Sequence, residues 1–372
     1  MSSSPPNSPP AAVLLLIGTR RGLFIATSGP DRLHWRLSQP LLAGREVYFT
    51  GADPRTGTLW AATRHPVWGA HLHRSDDGGT TWDVLPRAPH HDDERGLHAV
   101  WCVAPGARED PGRLYAGIEP AGLFVSEDYG GSWSAVAGLD RHPTAASWQP
   151  AGGALALHSV AVDPRDASRI YCAVSAGGVY RSEDGGASWS ALNVGVRTGF
   201  VPTPYPHAGQ CVHRLLLHPA MPDRLYQQGH CGVYRSDDRG ESWVEITRGL
   251  PTDFGYALAT DPADPDSLFV VPEESSQMRT VHGGRLGVYA TRDAGSTWAS
   301  SSRGLPQQDV YVSVLREGLT NDDLSPAGLY LGTSGGQVFV SADTGGSWRA
   351  VAEYLPRVLS VGVATVGRVV EG

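Results

Sequence analysis

The stretch SDDRGESW, Ser236 to Trp243, is one of six copies of a single pattern. The order S/T-x-D-x-G-x-x-W recurs from Ser75 to Trp82, Ser126 to Trp133, Ser182 to Trp189, Thr291 to Trp298 and Ser341 to Trp348. Its aspartates, Asp77, Asp128, Asp184, Asp238, Asp293 and Asp343, fall 50 to 56 residues apart. A fixed period of this size marks a propeller or a repeat array. The chemistry within each copy is that of a tight turn. Aspartate accepts backbone N–H bonds, glycine supplies a permissive backbone, and tryptophan packs between sheets.

Around each copy the same sequence of strands appears. A first apolar strand runs into a proline turn, as in HSVAVDP (158–164) and YALATDP (256–262). A second opens on Leu or Ile plus an aromatic, a third such as GVYRS enters the turn, and a fourth starts at its Trp. Four strands per repeat make a propeller blade. The N-terminal strands LLLIGTR and GLFIATS, followed by a worn copy from Ser28 to Trp35, lack a first strand, and RVLSVGVAT (357–365) supplies one. The expected fold is therefore all-β: a seven-bladed propeller of four-stranded blades over residues 13–372, closed by its C-terminal strand, behind a disordered Pro/Ser tail at 1–12.

These six motifs are those of the Asp-box, or BNR, repeat. The chain resembles the Asp-box β-propellers over nearly its whole length, within the sialidase-like and sortilin-like group. It looks like the soluble bacterial type, whose activities are mostly unassigned, so the resemblance implies the fold and little chemistry.

Composition narrows the classes of function. A net charge of −8 over 372 residues argues against nucleic acid or an anionic membrane as partner. All 30 basic residues are arginine, which excludes Schiff-base and pyridoxal-phosphate chemistry. The four cysteines form no C-x-x-C pair and suggest neither a disulfide framework nor a thiolate zinc cluster. The apolar run Val13 to Ile17 is too short for a signal sequence or a membrane span, so a cytoplasmic protein is expected.

Function should sit where the copies disagree. The fifth residue after each second strand's leading Leu or Ile is Arg20, Arg64, Glu119, Ser175, His230, Glu273 and Ser334, a ring expected around one channel mouth. Counting back from the prolines places His158, His213 and Tyr256 at one position of the first strands, and His98 beside them if one residue bulges. His98, His158 and His213, with His230 as fourth ligand or proton shuttle, are expected to hold one divalent transition metal (Zn, Fe or Cu). Arg20 and Arg64 would anchor a small anionic molecule, and Glu119 or Glu273 would move protons. Long loops at 138–155 and 194–210 add Trp148, expected with Tyr256 to touch substrate.

Three functions follow. The first is a metal-dependent enzyme acting on a small anion, a hydrolase or lyase with zinc and an oxidoreductase with iron or copper. The second is a sialidase-like glycoside hydrolase using Glu119 and Glu273, although the early segment GTRRGLF (18–24) lacks the Arg-Ile-Pro of sialidases. The third is a non-catalytic binding or assembly propeller.

Overall fold

A computed structural model describes residues 12–150 and 155–367. They form seven four-stranded antiparallel sheets, each ordered from an innermost first strand to a short outer fourth strand. The closing sheet pairs Val358–Val366 with Ala12–Thr19, in register from Ala12 opposite Val366 to Thr19 opposite Val358, followed by Gly22–Ser28 and Arg36–Leu37. The expected tail at 1–12 lies outside the described residues, except for Ala12, which begins a strand.

The other blades follow in chain order, their first strands being Glu46–Ala52, Ala99–Pro105, Ala156–Asp163, Val212–Leu217, Gly255–Asp261 and Leu319–Asn321. We number these blades one to six. Each innermost strand contacts that of the next blade, and the sixth contacts the closing strand, so the ring is complete. Buried aliphatic and aromatic side chains fill the spaces between sheets, as where Phe269 and Val271 of the fifth blade pack with Leu329 and Leu331 of the sixth.

The repeated turns do what their composition suggests. Asp184 accepts from the Ser188 amide and hydroxyl and from the Ser182 hydroxyl, while Ser182 also accepts from the Gly186 amide. The Ser188 hydroxyl and amide hold the Asp184 carboxyl at about 2. The turn tryptophans also reach backwards: Trp243, Trp298 and Trp348 donate their indole N–H to Leu192, Ile246 and Ser301 carbonyls of the preceding blade. Glycine is needed at the turn's fifth position. At Gly295 φ is +92°, and a Cβ would lie 2.5 Å from Ile246 of the neighbouring blade.

The worn copy in the closing blade breaks this rule for a reason. Arg32 stands where the other turns have glycine, at φ 57°. Its guanidinium crosses to the sixth blade, bonding Asp322 at 3.0 Å and the Pro326 and Ala342 carbonyls. Asp322 is fully buried and also accepts from the Leu324 and Gly328 amides and the Tyr330 hydroxyl. The seam between the chain's two ends thus carries a buried ion pair with its lone pairs filled.

Candidate functional site at the channel mouth

Second strands end at one face, at Thr19, His65, Glu119, Ser175, Gly229, Pro272 and Gly332. The seven residues of the expected ring therefore lie within two residues of these ends. First strands begin at the same face and share an irregularity that the sequence showed in only one blade. Pairing with the second strand skips a residue between Val47 and Phe49, Val100 and Cys102, Leu157 and Ser159, and Val212 and Arg214. The bulged residues are Tyr48, Trp101, His158 and His213. Bulges re-aim side chains, and here they mark equivalent positions.

This register corrects the expected metal set. Trp101, not His98, is the counterpart of His158 and His213. His98 lies further upstream with a 59% exposed side chain, its Nδ1 3.7 Å from Glu119 Oε1. His158 is buried with both ring nitrogens engaged, by the Ser159 hydroxyl at 3.0 Å and the Val212 carbonyl of the next blade at 2.8 Å. His213 donates from Nδ1 to the Gly255 carbonyl of its own next blade. Both are interblade staples. Burial foremost, and then Arg316, pushes both imidazoles well below their ordinary range, so they are neutral.

His230 does meet His213. Their ring centroids lie 5.5 Å apart, within a cluster containing Phe200, Phe254 and Tyr256. Donor atoms of Cys211, His213 and His230 come within 4.8 Å of one another, a set that offers a thiol and two imidazoles to a borderline or soft ion. Burial raises the Cys211 thiol, whose sulfur lies 3.4 Å from the Ser175 hydroxyl.

On the other side of the mouth, neighbouring blades build a different group. Trp101 donates its indole N–H to Glu119 Oε2 at 3.0 Å, and its ring lies 5.4 Å from that of Tyr48. Tyr48 donates to Glu46 Oε2 at 3.0 Å, while Arg20 donates to Glu46 Oε1 at 2.9 Å. Burial, then the Glu46 carboxylate, raises the Tyr48 phenol, which stays protonated; Arg64 lies beside it and opposes the rise. Both carboxylates are solvent-accessible, Glu46 at 21% and Glu119 at 13%. Arg64 is exposed, as is Trp68 at the tip of the hairpin that follows it. Glu46, Tyr48 and Trp101 were not expected here, because their equivalence appears only once the bulges are known.

Two expected substrate contacts are internal instead. Trp148 is buried between blades, its indole donating to the Tyr180 hydroxyl at 2.7 Å. Tyr256 is 7% exposed and faces Arg316. Glu273 has no exposed surface; Oε1 accepts from the Ser313 hydroxyl and Val314 amide, and Oε2 has no partner among the described residues. It therefore braces the 313–314 segment rather than facing a ligand.

Burial raises the Glu273 carboxyl from 4.5 to about 7, against the opposing Ser313 and Val314 bonds. The folded state keeps a proton there that the unfolded chain has released. Its stabilising contribution is full below about pH 4.5 and is lost as pH rises through about 7, a difference of about 3 kcal/mol. Glu273→Gln should therefore gain about that much on wild type between pH 4 and pH 8 in urea unfolding. Parallel stability profiles would refute this.

Comparison with known proteins gives the geometry its context. A family model described as the BNR-Asp box repeat matches residues 123–136, the third strand and turn of the second blade. The chain is a BNR-type β-propeller. An oligoxyloglucan-reducing end-specific xyloglucanase of Emericella nidulans is 28% identical to this propeller over 222 residues, 52% of this chain and 26% of that protein. A xyloglucanase of Hypocrea jecorina is 28% identical over 219 residues, covering 51% of this chain and 24% of that protein. The propeller thus spans about a quarter of the length of these curated relatives. Among solved structures, an ancestral GH74 enzyme aligns over 86% of this chain and 38% of its own at 16% identity, with a TM-score of 0.53. YCF48 from Cyanidioschyzon merolae aligns over 86% of this chain and 88% of its own, at 16% identity and a TM-score of 0.54. At such identities the structures speak for the fold alone.

These findings correct the first functional expectation. The curated relatives are glycoside hydrolases rather than metal-dependent lyases or oxidoreductases, and the four histidines do not assemble as one ligand set.

Proposed function

We propose that the propeller is a glycoside hydrolase acting at the channel mouth, with Glu46 and Glu119 as its carboxylate pair. The observation that carries this reading is their placement. Two solvent-accessible carboxylates from adjacent blades bracket a continuous Tyr48–Trp101 aromatic surface. Glycoside hydrolysis needs one carboxyl group to protonate the leaving oxygen and another to attack or to activate water. Aromatic faces give a sugar ring an apolar surface to lie on while its hydroxyls stay wet. The xyloglucanases similar to half of this chain support the reaction class.

The earlier pairing of Glu119 with Glu273 is replaced, since Glu273 offers no surface to a glycosidic bond. Arg20 and Arg64 then hold Glu46 and Tyr48 in place at the rim.

A panel of β-glucans, xyloglucan oligosaccharides and uronic-acid glycans, read by reducing-end release, tests this. Cleavage of at least one member is expected, with Trp101→Ala raising KM more than it lowers kcat. Failure to cleave any member would end the reading.

A further inference from the structure

Among the described residues, no carboxylate pairs with Arg316. It lies in the segment that leads into the first strand of the sixth blade, inside the mouth. Its guanidinium carbon sits 5.7 Å from the Trp101 ring centroid and 5.3 Å from that of Tyr256, which belong to the second and fifth blades. The side chain therefore spans the channel between two aromatic rings. Its Nε is buried and unpartnered, and no oxygen among the described residues accepts from the guanidinium.

The next residue shows the contrast. Glu317 pairs with Arg214 of the fourth blade across the same channel, so that carboxylate is not available to Arg316. Glu119 is engaged by the Trp101 indole and Glu273 by Ser313. The nearby charge is positive, since Arg279 is close enough to oppose Arg316 ionisation, and the adjacent histidines are neutral. Arg316 is half-buried with its Nε fully buried, and an arginine fork meets a carboxylate through two parallel charge-assisted bonds.

We propose that Arg316 is the anchor of a ligand carboxylate, and that the glycan cleaved at this mouth carries an acidic sugar of the uronic-acid type. The carboxylate would enter between the two rings to the guanidinium, leaving the neighbouring sugar on the Tyr48–Trp101 surface. The anchor rests on Arg316 alone, whereas the glycan as its ligand rests on the proposed function.

Isothermal titration with glucuronate, galacturonate, acetate, phosphate and glucose separates these parts, using wild type, Arg316→Met and Arg316→Lys. Saturable binding of the uronates is expected, weaker binding of acetate, and none of glucose. Arg316→Met should lose about tenfold or more in uronate affinity, and Arg316→Lys should fall between. The lysine variant decides the matter should the methionine variant fail to fold. Absence of carboxylate binding by wild type would overturn the anchor, as would equal affinity in folded variants. Phosphate bound more tightly than any carboxylate would overturn the ligand class. Arg316-dependent uronate binding without cleavage of any glycan would uphold the anchor and remove only the glycosidase reading.

Discussion

Glu119→Gln is expected to lower kcat by about 10²- to 10⁴-fold on any glycan that the propeller cleaves. The amide oxygen can still accept from the Trp101 indole, which bonds Glu119 at 3.0 Å in the native chain. The aromatic surface should therefore keep its shape, and KM should change little. What is lost is the ability to exchange a proton or carry a charge. Glu46→Gln should behave alike and leave stability almost unchanged, because its ion pair with the 63% exposed Arg20 is worth about 1 kcal/mol at most. Steady-state kinetics on folded variants checks both. A change confined to KM would reduce Glu119 to a support for Trp101.

The second large effect concerns the seam of the ring. Asp322→Ala should destabilise the protein by about 3–5 kcal/mol, because it leaves Arg32 charged, 5% exposed and without its carboxylate. It also strips acceptors from the Gly328 amide and the Tyr330 hydroxyl. Equilibrium urea unfolding measures the loss. Replacing Arg32 as well should recover part of it, since the unpaired charge goes too. A cost under about 1 kcal/mol would mean that the closing blade is held by strand pairing alone.

The fold was legible because its hardware repeats. Six aspartate turns with near-constant spacing, and a C-terminal strand matching the one missing at the N-terminus, leave little choice but a closed seven-bladed ring. The second-strand ends were legible for the same reason, and Glu119 reached the mouth as expected. The first strands misled. A bulge is a local change of register with no residue signature of its own, so a lone histidine upstream, His98, stood in for Trp101. His158 and His213 did occupy equivalent positions, yet equivalence says nothing of orientation, and both turn sideways to bond the next blade. Trp148 sat in a long loop that folds inward onto Tyr180. Arg316 was missed by comparing second-strand ends, because it lies in the connection just before the sixth blade's first strand, Leu319–Asn321. Its isolation shows only when every nearby carboxylate has been matched to its partner.

The proposed activity is cleavage of a glycan by two carboxylates, Glu46 and Glu119, at the channel mouth. Its most direct test is reducing-end release, over time, from xyloglucan and uronic-acid oligosaccharides by wild type and by the Glu46→Gln/Glu119→Gln double variant, purified side by side. Steady release is expected from wild type, and none above background from the folded double variant. Release by neither protein from any oligosaccharide, or equal release by both, would contradict it.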